Sequence, residues 1–197
     1  MVITLFKKVF IFICVACLFF LSGCGSISLD ENINEENTAP VYSPKKTQYD
    51  EKIGVFETTL MDKAENRINN VKLACDSINK KRLEPGEEFS FNETVGKRTE
   101  ERGYKEASIL VDGKKEKGIG GGICQVSTTV YNAAIDADLE ITERHEHSKK
   151  VPYIEKGKDA TISGKLDLRI KNPHPFPVKF EVATNGEMVT VVVYKDE

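Results

Sequence analysis

Helical and strand periodicities occupy different stretches of this chain, and their order restricts the fold more than any other feature. Apolar residues recur at spacings of three or four over residues 60–80, at Ala64, Ile68, Val71, Cys75 and Ile78. They do so again from about 123 to 138, at Val126, Val130, Ala133, Ala134 and Ala137. That spacing predicts two amphipathic helices. From Leu139 onward the pattern is β, with strands expected near 139–147, 151–155, 159–163, 166–171, 177–183 and 188–194. Lys156-Gly157, Ser163-Gly164, Asn172-Pro173 and Asn185-Gly186 supply turns between them. Asn185-Gly186 lies between two alternating apolar runs, a strong hairpin signal. Shorter strands are expected at 52–56, 88–91 and 107–111, the last closed by Asp112-Gly113. A polar loop with a helical turn is expected over 92–103, and a glycine-rich loop over 118–122. Helices early and strands late predict an α+β fold: two helices packed on a mainly antiparallel β-sheet, with a cysteine at a helix N-terminus.

The first 52 residues stand outside this pattern. Lys7-Lys8 precede an almost wholly apolar run from Val9 to Leu21, which ends in Ser22-Gly23-Cys24. A positive start, an apolar core and a small-residue end describe a secretory signal peptide. The run falls short of the roughly 20 residues that a spanning helix needs. Leu21-Ser22-Gly23-Cys24 resembles the lipobox of bacterial lipoproteins, whose cysteine is acylated and becomes the first residue. The expected organisation is a signal peptide over 1–23, a lipidated disordered tether over 24–52 and one folded domain over 53–197. The tether is rich in Asn, Glu, Ser, Pro and Lys and has no apolar period. The expected location is the extracellular face of the cell membrane, held through Cys24. Without Lys7 and Lys8 the chain carries 26 Lys+Arg against 31 Asp+Glu, a balance of −5. No long basic block is present, so nucleic acid is not an expected partner.

Cys14 and Cys17 leave with the signal peptide and Cys24 takes lipid, so the domain keeps Cys75 and Cys124, enough for one disulfide at most. Cys75 lies on the apolar stripe of the first helix and reads as a small buried hydrophobe. Cys124 follows three glycines at the start of the second helix. Helix N-termini present unpaired N–H groups and a partial positive charge, which lower a thiol pKa and can hold an oxyanion. Gly120, Gly121, Gly122 and Gln125 are the expected oxyanion and substrate loop, where missing side chains let a substrate backbone approach. Of three histidines, His145 and His147 fall on the expected strand after that helix, so either can serve as base. Asp159 on the next strand can orient the imidazole, completing a Cys–His–Asp arrangement. His174, between two prolines, reads as surface structure. A buried structural thiol is the rival reading of Cys124. Zinc held by Cys124, His145 and His147 is another, but the spacing is loose and no Cys pair supports it. No metal and no cofactor are expected.

These residues lie in a longer pattern. Gly120-Gly121-Gly122-Ile123-Cys124-Gln125-Val126-Ser127-Thr128-Thr129-Val130-Tyr131-Asn132-Ala133 closely resembles the VanW family. So do Glu143-Arg144-His145-Glu146-His147-Ser148, Val151-Pro152-Tyr153 and Gly157-Lys158-Asp159-Ala160-Thr161. Upstream, Pro85–Asn92, Val95-Gly96-Lys97-Arg98 and Gly103-Tyr104 fit, as do Asp167-Leu168 and Asn172 downstream. The resemblance covers about 53–195. Asp138 replaces a glycine usual in the family, and Asp tolerates the left-handed conformation better than most residues. The resemblance implies a cell-surface protein of L,D-transpeptidase type, making 3-3 peptidoglycan cross-links through a thioester on Cys124. His147 is then the first choice of base, His145 the alternative, and Asp159 the orienting carboxylate. Arg144 orients either a substrate carboxylate or a loop, while Asp167 and Asn172 fix a turn. The implied partners are peptidoglycan stem peptides, with the membrane reached through the anchor. Two other readings stay open, a non-catalytic peptidoglycan- or glycopeptide-binding accessory protein of vancomycin-resistance type and a peptidoglycan hydrolase.

Overall fold

The computed structural model describes residues 51–111 and 114–196; the expected signal peptide, Cys24, the tether up to residue 50 and the Asp112-Gly113 turn lie outside the described residues. In chain order the described elements are β1 (Glu51–Thr59), α1 (Glu65–Ile78), β2 (Arg82–Leu83), β3 (Glu88–Ser90), α2 (Phe91–Val95), a 3-10 turn (Glu100–Arg102), β4 (Glu106–Val111), β5 (Lys114–Ile119), α3 (Ile123–Asp136), β6 (Glu140–Glu143), β7 (Arg169–Lys171), β8 (Val178–Thr184) and β9 (Met188–Lys195). The fold is α+β. Its main sheet runs β1-β9-β8-β2, a three-stranded sheet runs β3-β7-β6, and β4 pairs with β5 as a hairpin, every pairing antiparallel.

The main sheet follows the period of two. Val178, Phe180 and Val182 on β8, and Val189, Val191 and Val193 on β9, are buried on one face while their neighbours are not. α3 lies across β1 and β9, and α1 lies across β8 and against α3. Val71, Ala74, Cys75 and Ile78 of α1 and Val126, Val130, Ala133 and Ala134 of α3 join the same core. Burying each large aliphatic chain contributes about 1.5–3 kcal/mol. Gly54 sets how closely α3 approaches β1: a β-carbon there would lie 2.6 Å from the Ala133 carbonyl oxygen and 2.7 Å from Ala137 Cβ.

Several sequence expectations are corrected. The first helix starts at Glu65 rather than 60, because β1 continues through Thr59 and Leu60 N–H donates to the Glu187 carbonyl at 2.7 Å. β1 also takes in Glu51, assigned above to the tether, which pairs with Lys195 as Lys52 does with Tyr194. The second helix ends at Asp136, and Asp138 adopts φ +54° as Leu139 N–H closes on the Ala134 carbonyl. Residues 114–119, part of which reads as glycine loop, form β5, a lysine-rich strand whose polar run hides its pairing.

The largest difference lies at 144–168. Strands expected at 151–155 and 159–163 do not form, and β6 stops at Glu143, so His145 and His147 are not on a strand. Polar side chains on the exit face of α3 replace the missing strand partners. Asn132 Nδ2 donates to the Lys158 carbonyl at 2.7 Å, Ser127 Oγ to the Ala160 carbonyl at 2.7 Å, and Ala160 N–H to Thr128 Oγ1 at 3.0 Å. A buried backbone must pair somewhere, and here it pairs with a helix.

Candidate active site

Cys124 is the second residue of α3, and the three glycines before it turn the chain out of β5. Gly120 and Gly122 have φ of +84° and +108°, a region L side chains rarely adopt. Gly121 lies against β4, where a β-carbon would be 2.6 Å from the Ser108 carbonyl oxygen. Fully buried Asn70 of α1 fastens this turn: its Nδ2 donates to the carbonyls of Gly121 at 3.1 Å and Lys105 at 2.8 Å. The amides of Ile123 and Gln125 are already bonded to the carbonyls of Gly120 and Gly122.

The 144–168 loop brings the other groups to the thiol. Cys124 Sγ lies 3.7 Å from Thr161 Oγ1 and 3.5 Å from the Ile162 carbonyl oxygen, and Cys124 and His147 line the same cleft. Asp159 Oδ2 accepts two bonds from one residue, the His147 N–H at 2.6 Å and the ring at Nδ1 at 2.6 Å, and both side chains are nearly buried. With Nδ1 engaged, Nε2 is the nitrogen left for sulfur. Burial alone pushes the thiol up, but the hydrogen bond with His147, the Ile162 backbone and the Thr161 hydroxyl bring Cys124 below the usual thiol value. Burial pushes the imidazole down, yet its bonds with Cys124 and Asp159 hold His147 above the usual histidine value. Burial also pushes the Asp159 carboxyl up, and the two bonds from His147 bring it below the usual carboxylate range. All three directions favour a thiolate beside an imidazolium backed by a carboxylate. Cys75 is the contrast: a free, buried thiol that burial pushes up to about 12.

A cleft of about 660 Å³ opens over Cys124. The glycine turn, His147, Tyr153 and Thr161 line its floor, and exposed Met61, Leu110 and Ile119 give it an apolar rim. Burial pushes the Tyr153 phenol well above its usual value, with the Cys124 charge adding to the effect.

Other expected site residues lie off the cleft, except Gln125, which lines it. His145 Nε2 meets Glu143 Oε1 at 2.9 Å, and the ring does not line the cleft. Arg144 is also absent from the cleft wall. Its Nε donates to the Asp159 carbonyl at 2.7 Å and its Nη2 to the Gly157 carbonyl at 2.9 Å, and its guanidinium lies 5.0 Å from the Tyr131 ring centroid. Arg144 therefore braces the loop carrying Asp159. The Gln125 side chain is buried, donating from Nε2 to Thr58 Oγ1 and the Thr59 carbonyl. His174 Nε2 meets the Ala137 carbonyl at 2.9 Å. Asn172 Nδ2 donates to the Leu83 and Phe176 carbonyls, and Asp167 accepts from Ser90 and Asn92. Among the described residues no group of three His, Cys, Asp or Glu side chains is arranged to hold a metal ion.

Sequence reasoning assigned no role to Asn70, Thr128, Asn132, Arg67 or Arg98. Thr128 and Asn132 carried a signal: they lie four and eight residues after Cys124, on its helix face, where an apolar residue would be ordinary. The arginines carried none, because the cleft they line joins distant parts of the chain. Arg67 Nε is buried with no protein acceptor, an arrangement costing about 1–3 kcal/mol or more for a charged group.

Fold and site together define an α+β protein whose cleft is lined by a cysteine and by a histidine bonded to an aspartate. The chain belongs to the VanW family: residues 66–194 match the family described as VanW like protein. It is 37% identical over 181 residues to the uncharacterized protein YoaR of Bacillus subtilis (strain 168), an alignment covering 91% of this chain and 59% of that one. It is 32% identical over 139 residues to the vancomycin B-type resistance protein VanW of Enterococcus faecalis (strain ATCC 700802 / V583), covering 68% of this chain and 50% of that protein. The chain thus spans between half and three fifths of these relatives' lengths. No solved structure matches it.

Proposed function

We propose that this protein is a cysteine acyltransferase of the bacterial cell wall, of L,D-transpeptidase type, held at the membrane surface by lipid on Cys24. One observation carries the reading: Cys124 and His147 line one open cleft, and His147 Nδ1 is fixed 2.6 Å from Asp159 Oδ2, leaving Nε2 for the thiol. The name of the Enterococcus relative, a vancomycin-resistance protein, supports a role at the cell wall.

In the proposed reaction the Cys124 thiolate attacks the carbonyl carbon of the third residue of a stem peptide. A C–S bond forms, and the oxygen takes negative charge facing the amides of Gly122 and Cys124. The intermediate collapses, the C–N bond to the terminal D-Ala breaks, and the His147 Nε2 proton passes to the departing amine. An acceptor amine then attacks the thioester and gives its proton to Nε2. The C–S bond breaks, and thiolate and imidazolium are restored. Asp159 keeps the ring oriented throughout and stays ionised. Water in place of the amine makes the same site a hydrolase.

Muropeptide profiles of strains carrying the wild-type chain or Cys124→Ala test the reading. The expected result is loss of the 3-3 cross-links that depend on this protein. Unchanged cross-links together with full cellular function would sink the catalytic reading in favour of a binding module. Purified protein with a tetrapeptide donor separates transfer from hydrolysis by product mass.

A further inference from the structure

Two arginines line the cleft above Cys124, and acyl transfer as described uses neither. Arg67 projects from α1 across the start of α3. A β-carbon on Gly122 would lie 2.9 Å from its Cγ and 3.4 Å from its Cζ, so the glycine is what lets the guanidinium pass beside the catalytic turn. Arg67 Nη2 donates to Gln125 Oε1 at 3.2 Å, and the Thr58 hydroxyl and Thr59 carbonyl hold Gln125 in turn. A neutral amide therefore aims this cation, and its buried Nε donor has no protein acceptor. On the same cleft, Arg98 Nη1 donates to Asn92 Oδ1 at 2.9 Å and the Gly96 carbonyl at 3.1 Å, both neutral. Among the described residues lining the cleft the acid is Asp62, whose Oδ1 accepts from the Ala64 N–H at 3.1 Å. None of the ion pairs among the described residues includes Arg67 or Arg98. Two guanidinium groups with no ion-pair partner among the described residues, one of them pre-aimed with an unmatched donor, suit a carboxylate.

We propose that Arg67 receives the free C-terminal carboxylate of the donor peptide, with Arg98 adding attraction, so that the enzyme acts one residue from a peptide's end. This inference rests on the acyl-transfer reading of Cys124. One residue spans at most about 3.3–3.6 Å. A carboxylate held on Arg67, beside Gly122, thus leaves the preceding carbonyl on the turn that carries the thiol. The leaving group is selected by its charge, while the apolar rim meets the rest of the stem.

The test measures binding by calorimetry to the full chain carrying Cys124→Ala. The ligands are a stem tetrapeptide ending in D-Ala as free acid and the same peptide as C-terminal carboxamide. The acid is expected to bind about 10- to 100-fold more tightly. Arg67→Gln in that background removes the preference, and Arg67→Lys, which keeps charge but not the fork, retains part of it. Equal binding of acid and amide to Cys124→Ala overturns the proposal, as does a preference that survives Arg67→Gln. The first comparison needs no substitution at Arg67, so misfolding of that variant cannot hide the answer. Intact-protein mass of the wild type with each peptide separates the two readings. Acylation at equal rates by acid and amide overturns the carboxylate site and leaves acyl transfer standing. No acylation, with the acid preference intact, overturns acyl transfer and leaves the carboxylate site.

Discussion

At the scale of single residues, the site depends on one carboxylate oxygen that fixes both the backbone and the ring of His147. Asp159→Asn places a neutral amide there, whose oxygen can still accept both bonds but carries no charge to favour an imidazolium. Acyl-enzyme formation is expected to fall by about 10²–10⁴-fold, read as single-turnover rate by intact mass. His147→Ala removes the largest influence lowering the Cys124 thiol. The pH profile of iodoacetamide labelling should then move to higher pH, and an unmoved profile would contradict the pairing. Stability follows the same groups. Asp159 is lowered on folding, so its contribution is present above the unfolded carboxylate value of about 3.9 and is lost as pH falls through the folded value. His147 is raised, so its contribution is present below about 6.5 and is lost as pH rises through its folded value. The gap in Tm between wild type and Asp159→Asn should therefore be wide near pH 5–6 and close in strong acid, as followed by circular dichroism. Cys124 and His147 were legible as candidates because cysteine and histidine are rare in this chain, and Asp159 because it falls in the motif that resembles the family. Arg67 was not, since arginine on an amphipathic helix usually means a solvated face.

At the scale of elements, α3 does two jobs with two faces. Its apolar face packs on the main sheet, and its polar face, Ser127, Thr128 and Asn132, holds the loop that brings Asp159 and Thr161 to the thiol. Thr128→Val keeps the shape but leaves the Ala160 N–H unpaired. It should cost about 1–3 kcal/mol in urea unfolding and slow acylation while Cys124 remains present. Gly54→Ala tests the other face. The added methyl meets α3 backbone at 2.6 Å, so a loss of about 1–3 kcal/mol with an unchanged m-value is expected. The two helices and the β8–β9 hairpin could be read from periodicity because each has a single buried face. The strands expected at 151–155 and 159–163 failed because short apolar alternation does not reveal which partner the backbone finds. There the partner is a helix side chain.

At the scale of the whole molecule, the cleft forms where α1, α3, the β4–β5 hairpin and the 144–168 loop meet. No segment contains it. Its apolar rim and two guanidinium groups face the cleft opening, and the membrane anchor proposed at Cys24 is tested separately. Cys24→Ser should release the protein from the membrane fraction, read by immunoblot of fractionated cells, while purified protein keeps its Cys124 labelling profile. Retention in the membrane after that change would contradict lipid anchoring through this residue.

The sequence by itself determined the α+β class, the helix that begins at the glycine run, the cysteine at its start and the membership of a family. Each of these is encoded locally, by periodicity, by turn chemistry or by a contiguous motif. Only the tertiary structure decided that His147, which the resemblance had favoured, lines the cleft with Cys124 while His145 does not, that Arg144 braces a loop, and that Arg67 enters the cleft. These depend on how an irregular loop finds its hydrogen-bond partners on α3 and how α1 crosses the glycine turn. Such long-range pairings leave no period in the chain.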